Sequence, residues 1–230
     1  MTQHIILLHG ALGSKAQLAP LAAALPKHVQ AHTFDLQGHG PTAMPPQGYH
    51  IPDFAQQLHT YIKKHNLQPA NVFGYSMGGY IALYLAAQHP QAIGRLMTLG
   101  TKLNWTPQGA AKEAAMLNHE KISQKVPAFA KTLQQRHAPN NWITVLENTA
   151  QLMHNLGSSN LLSQQVLAAI QPPVTIGWGQ ADNMVTEQES ALAAKALPHG
   201  QLWVAPDTPH PIEKVPLPQL INKISQFFSL

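Results

Sequence analysis

The chain has 230 residues, 44% of them hydrophobic, which supports one large domain or a domain carrying an insertion. Its formal charge of +4 comes from 14 basic against 10 acidic residues with no basic block, so no nucleic-acid footprint is read. Cysteine is absent, which excludes disulfides, thiolate metal sites and a cysteine nucleophile.

The start, Met1-Thr2-Gln3-His4-Ile5, lacks the basic region and apolar stretch of a signal peptide. No apolar run approaches the roughly 20 residues needed to span a bilayer. The expectation is a cytoplasmic protein without membrane or nucleic-acid partners; nothing in the sequence sets its oligomeric state.

Ile5-Ile6-Leu7-Leu8 is an unbroken apolar run, as expected for a strand buried on both faces. A loop follows, His9-Gly10-Ala11-Leu12-Gly13, and Ser14 is placed to cap a helix reaching about Leu25. Val29 to Phe34 reads as a second strand. Asp35-Leu36-Gln37-Gly38-His39-Gly40-Pro41 is then a loop, on its glycines and proline. Phe54, Leu58, Tyr61 and Ile62 stripe a helix from Ile51 to about His65. A third strand, Asn71 to Phe73, leads through a turn at Ser76 into a helix from Met77 to about Gln88. Ile93 to Leu99 is the fourth strand.

From Leu103 to about Ala169 the signals are helical only. Thr106-Pro107 opens one helix, Pro127 a second, Asn140 or Asn141 a third ending at Gly157, and Leu161 to Ile170 gives a fourth. Residues 103–169 therefore read as a helical cap inserted into a core of 1–102 and 170–230. Alternation returns with strand Val174 to Trp178, helix Thr186 to Leu197, strand Gln201 to Ala205 and a last helix to Phe228. Pro216 and Pro218 make the start of that last helix irregular. Alternating strands and helices imply one parallel sheet, with functional loops at the carboxyl ends of its strands.

Gly74-Tyr75-Ser76-Met77-Gly78 sits where a strand reverses into a helix. Such a turn brings the residues two before and two after the serine almost into contact, so both must be small. The serine is strained and its hydroxyl lifted clear, with the amides of the new helix aimed at the same spot. Ser76 is the candidate nucleophile.

A serine needs a base, and the base an orienting acid. Of four aspartates, Asp182 ends a strand two strands after Ser76, while Asp207, the rival, shares a loop with the candidate base. Among 14 histidines, His210 lies on the loop after the last strand, the position that completes the order Ser…Asp…His. His9 and His39, in glycine-flanked loops, read as structural. An oxyanion hole needs two backbone N–H donors. Met77 supplies one; Ala11 is preferred for the second, ahead of Leu12.

These stretches, with Gly179-Gln180-Ala181-Asp182 and Pro209-His210, occur in the order found in the α/β-hydrolase superfamily, which the chain resembles. The family usually has Ser after its Gly-His-Gly turn; here Pro41-Thr42 stands instead. The resemblance implies a mainly parallel six-stranded sheet in the order 2-1-3-4-5-6, flanked by helices, with a helical cap. It implies catalysis by Ser76, Asp182 and His210 through an acyl-enzyme, with no metal or organic cofactor. The substrate would be a small-molecule carboxylic ester or thioester. Leu12, Lys102, Trp105, Trp142 and Met153 are candidate substrate contacts, with Met116 and Leu156 as further possible walls. Two other readings are a lyase or C–C bond hydrolase similar to menaquinone-pathway relatives, and a non-catalytic binder. Those lyases typically carry Arg where this chain has Tyr80, and Arg95 and Arg136 lie elsewhere.

Overall fold

Ile5, Ile6, Leu7 and Leu8 are completely enclosed in the computed structural model, which describes residues 2–230. An apolar run without alternation has to be covered on both faces, and a parallel sheet between two helical layers provides that cover. The run forms most of β1 (Gln3–Leu8). The other strands are β2 (Val29–Thr33), β3 (Ala70–Tyr75), β4 (Ile93–Leu99), β5 (Val174–Gly179) and β6 (Gly200–Ala205). They form one sheet in the order β2-β1-β3-β4-β5-β6, with every pairing parallel, as expected from the sequence. Leu8 pairs with Gly74, Tyr75 with Leu99, and Leu99 with Gly177. The carboxyl ends of the four central strands therefore reach one edge together.

The helices are α1 (Ala19–Ala24), α2 (Ile51–Lys64), α3 (Met77–Gln88), α4 (Pro107–Ala115), α5 (His119–Lys125), α6 (Pro127–His137), α7 (Trp142–Ser158), α8 (Gln164–Ala168), α9 (Glu187–Ala196) and α10 (Leu217–Phe228). One sheet face meets α1 and α10 through Leu21, Leu220, Ile224 and Phe228. The other meets α2, α3 and α9 in the larger core. Helix α3 is buried nearly all round, consistent with its apolar sequence Tyr80-Ile81-Ala82-Leu83. Among the described residues no helix is long and apolar enough to cross a membrane.

Helices α4 to α8 fill the stretch between β4 and β5. Thr106 caps α4 by accepting from Gly109 N–H, and Asn141, rather than Asn140, caps α7. Asn140 instead donates to the carbonyls of Gly40 and Thr42, which ties this stretch to the loop after β2. Ala110, Val145, Leu152 and Leu156 from these helices join the larger core. Ile122, Leu133 and Leu146 make a small cluster of their own.

Three expectations are corrected. Ser14 makes no side-chain cap: a 3-10 turn, Lys15–Leu18, comes first, and α1 starts only at Ala19, with Pro20 at its permitted opening position. The stretch between β4 and β5 holds five helices rather than four, because α5 is only seven residues long and Glu120, Lys121, Gln124 and Lys125 leave it without a clear apolar stripe. Helix α8 begins at Gln164, where Ser163 accepts from Val166 N–H, not at Leu161. The irregular start expected of the last helix is a separate 3-10 turn, Ile212–Lys214, before α10, since Pro216 and Pro218 interrupt the amide ladder.

Candidate active site

β3 ends at Tyr75 and α3 begins at Met77, so Ser76 alone makes the reversal. Its backbone sits at φ 51° and ψ −118°, a region a non-glycine residue occupies only under constraint. The constraint is visible in its hydrogen bonds. Ser76 N–H donates to Leu99 O at 2.8 Å, and Thr101 Oγ1 donates to Ser76 O at 3.0 Å. The flanking glycines are sterically required. A Cβ on Gly74 would lie 2.5 Å from Gly79 Cα, and one on Gly78 2.5 Å from Leu8 O.

The Ser76 hydroxyl faces His210 Nε2 at 3.3 Å. His210 Nδ1 lies 2.7 Å from Asp182 Oδ2, so the ring donates there and leaves Nε2 as an acceptor. The other carboxylate oxygen of Asp182 accepts from Met184 N–H at 2.8 Å and Val185 N–H at 3.0 Å. Burial pushes the Asp182 carboxyl up. The hydrogen bond and charge of His210, with those two amides, outweigh it and hold the group below its ordinary value. The side chain of Asp182 is 1% exposed against 16% for His210. Solvent thus reaches the imidazole and not the carboxylate. Tyr75 OH donates to His210 O at 2.9 Å and fixes the loop that carries the ring. Asp207 is exposed on that loop, at φ 48°, and does not meet the imidazole.

Ala11 and Met77 border the same cavity as Ser76. Among the described residues neither amide donates to a carbonyl or side chain. Gly10 brings the first loop close: a Cβ there would lie 3.0 Å from Ser76 Cβ. His9 anchors that loop, with Nδ1 on Gly10 O at 2.8 Å and Nε2 accepting from Leu36 N–H at 3.1 Å. The departure at Pro41-Thr42 leaves the loop after β2 with a hydroxyl all the same. Thr42 Oγ1 lies 2.6 Å from Leu36 O and 2.5 Å from His39 O, one residue later than the usual serine.

The cavity measures about 40 Å³. Of the expected substrate contacts, Lys102, Trp105 and Met153 border it, as does Leu156. Leu12 and Trp142 do not; both pack around Ile122, Leu133 and Leu146. Met116 is exposed. Ile51, Tyr80, Leu152 and Met184 are walls that the sequence reading missed. Leu152 stands next to Met153 in α7 and was findable from it; Ile51 opens α2 and Met184 lies in the loop after β5, far from α7 in sequence. Tyr80 OH donates to Asn160 Oδ1 at 2.8 Å and accepts from Leu161 N–H at 3.1 Å.

Arg136 and His137 were also missed. Arg136 Nη1 and His137 Nε2 both donate to Leu12 O, at 2.9 and 3.1 Å, while His137 Nδ1 accepts from Gly40 N–H at 3.1 Å. Leu12, at φ 57°, is held in a left-handed turn beside Ala11 by these bonds. Their partners lie more than 120 residues apart in sequence, so no local spacing marks them.

The model of the alpha/beta hydrolase fold family matches residues 3–154. The chain belongs to the α/β-hydrolase family. Among its relatives, "Putative carbamate hydrolase RutD" of Cronobacter turicensis is 27% identical over 220 residues, covering 87% of this chain and 81% of that protein. The pimeloyl-(acyl-carrier protein) methyl ester esterase of Chromobacterium violaceum is 26% identical over 225 residues, covering 90% and 86%. The crystal structure of E-2-(acetamidomethylene)succinate hydrolase superposes on this α/β-hydrolase with a TM-score of 0.81 at 18% identity, covering 99% and 92%. The relatives so named are hydrolases.

Proposed function

We propose that this α/β-hydrolase cleaves a small to medium carboxylic ester or thioester through an acyl-enzyme on Ser76. The observation that carries the reading is the relay from Asp182 to His210 at 2.7 Å and from His210 to Ser76 at 3.3 Å, with two unengaged amides beside it. His210 takes the hydroxyl proton as Ser76 Oγ attacks the carbonyl carbon. Asp182 holds the imidazolium so formed. The amides of Met77 and Ala11 donate to the oxyanion. The imidazolium then protonates the leaving alcohol or thiol. A water, deprotonated by the same ring, attacks the acyl-enzyme and releases the acid.

The cavity of about 40 Å³ has room for roughly three water molecules. That supports short acyl groups in the first instance, with residues 103–169 acting as a cap over a core of 1–102 and 170–230. The ester named for the Chromobacterium relative agrees with attack at a carboxylic ester. The lyase reading is not favoured: both polar functions of Tyr80 are taken by Asn160 and Leu161, and the cavity carries no arginine.

Hydrolysis of p-nitrophenyl acetate and butyrate by the wild type and Ser76→Ala tests the proposal. Saturable turnover that disappears in the variant is expected. Turnover that survives it would contradict an acyl-enzyme at Ser76, and a wild type that binds ligand without turnover would mark a binder.

A further inference from the structure

One charged side chain, Lys102, borders the cavity beside Ser76, against walls that include Ile51, Leu152, Met153 and Leu156. A cation set among apolar groups loses hydration and needs acceptors in exchange. The Lys102 side chain is only 13% exposed, yet its ammonium is thinly supplied. It reaches Met184 O at 3.3 Å and Glu189 Oε2 at 3.8 Å, and lies 5.8 Å from the centre of the Trp105 ring. A charge-assisted N–H···O bond is about 2.7–2.9 Å long. Three ammonium protons are thus served by two long contacts and a ring face.

The carboxylate nearest to it is committed elsewhere. Glu189 Oε1 accepts from Leu103 N–H at 3.0 Å and Asn104 N–H at 3.3 Å. Its Oε2 accepts from Thr186 N–H at 3.2 Å and from the Thr186 hydroxyl at 3.1 Å. Glu189 therefore pins the chain just past β4 to the start of α9. It fixes where Lys102 stands without using up its protons.

We infer that Lys102 binds an anionic group of the substrate, and that the compound cleaved is a short ester or thioester carrying a carboxylate a few atoms from the scissile carbonyl. The inference rests on the reading of Ser76 as nucleophile. A carboxylate entering the cavity gives the ammonium the short acceptor it lacks, where solvent screens the attraction least. The small volume keeps that anion close to Ser76. A neutral ester of the same shape leaves the ammonium as it stands.

The test compares anionic esters with neutral counterparts of similar size. Monoethyl succinate and ethyl butyrate place the difference on the acyl side; acetoxyacetate and propyl acetate place it on the leaving-group side. In at least one pair the wild type should favour the anion by about tenfold or more in kcat/KM, a preference carried by KM. Lys102→Met should collapse that ratio by about tenfold or more, and Lys102→Arg should restore part of it. Covalent labelling of Ser76 by a fluorophosphonate checks that each variant keeps its active site; Lys102→Gln replaces the methionine variant if labelling is lost. Ser76-dependent turnover with a ratio near one in both pairs would overturn the anion site and leave the hydrolase standing. An equal fall for both members of a pair in Lys102→Met would reduce Lys102 to structural support. A wild type that neither turns over any of the four esters nor labels at Ser76 would overturn the hydrolase reading itself, and the inference with it.

Discussion

Two groups of histidines in this molecule have opposite surroundings. His210 sits at the carboxyl edge of the sheet, partly open to solvent, with a carboxylate on one nitrogen and a hydroxyl on the other. His9, His39 and His137 are fully buried where the loops after β1 and β2 meet the end of α6. His9 and His137 each face a backbone carbonyl with one nitrogen and a backbone N–H with the other. That pairing accepts only the neutral ring, since a second ring proton would point at an amide proton. Burial adds to it, holding both His9 and His137 down at about 4 and His39 well below its ordinary value. The difference lies at the second nitrogen. A hydroxyl can give up its proton as its oxygen forms a new bond, whereas a peptide N–H only donates a hydrogen bond, so the surroundings of His210 suit the proposed proton transfer and those of the others suit holding loops in place.

The strongest way to break this comparison is to exchange roles. Ser76→Ala and His210→Ala should each lower kcat for p-nitrophenyl butyrate by about 10⁴-fold or more, read in steady-state assays. A comparable loss on replacing His137 would mean that the buried cluster takes part in the chemistry. Asp182→Asn follows, with an expected fall of about 10³ to 10⁴-fold, because an amide no longer selects the ring tautomer that leaves Nε2 as acceptor. A retained rate would show that His210 is oriented without its carboxylate.

The buried group should answer in stability instead. His137→Leu leaves Gly40 N–H without its acceptor and Leu12 O with Arg136 alone. A loss of about 2–4 kcal/mol is expected in urea unfolding. Unchanged stability would show that other groups satisfy this loop.

Acid sharpens the contrast further. Unfolded, His9 and His137 titrate near 6.5; folded, near 4. Between these values the unfolded chain binds more protons, so stability should fall as pH drops from about 6.5 towards 4 and be fully present above that window. Thermal unfolding at pH 7.5, 6 and 5 measures this. His137→Leu should flatten the slope by about one proton, and an unaltered slope would remove His137 from the account. The smallest effect is expected from Tyr75→Phe, which deletes the bond to His210 O. It should cost about 0.5–1.5 kcal/mol and change kcat less than tenfold.

Local sequence carried the elements far. The unbroken apolar run Ile5–Leu8 marked the first strand, proline and asparagine marked helix starts, and Gly74 and Gly78 marked the reversal at Ser76, because each of these is a steric or solvation requirement within a few residues. Strand order followed from the family resemblance, and the all-helical stretch between β4 and β5 from the break in alternation. Short or split elements were less legible: α5 lacks a stripe, and the 3-10 turns before α1 and α10 arise where proline disrupts the ladder.

The sequence by itself determined the fold class, the order of the Ser76, Asp182 and His210 loops, and the absence of thiol chemistry. Chain order does not encode which side chains from distant segments share a space. Only packing decided that Trp142 faces a separate cluster, that Ile51 and Met184 wall the cavity, and that Arg136 and His137 hold the carbonyl of Leu12. The reason is physical: a buried hydrogen bond or cavity wall is defined by three-dimensional closure between distant segments, whereas a strand, a cap or a tight turn is defined by its immediate neighbours.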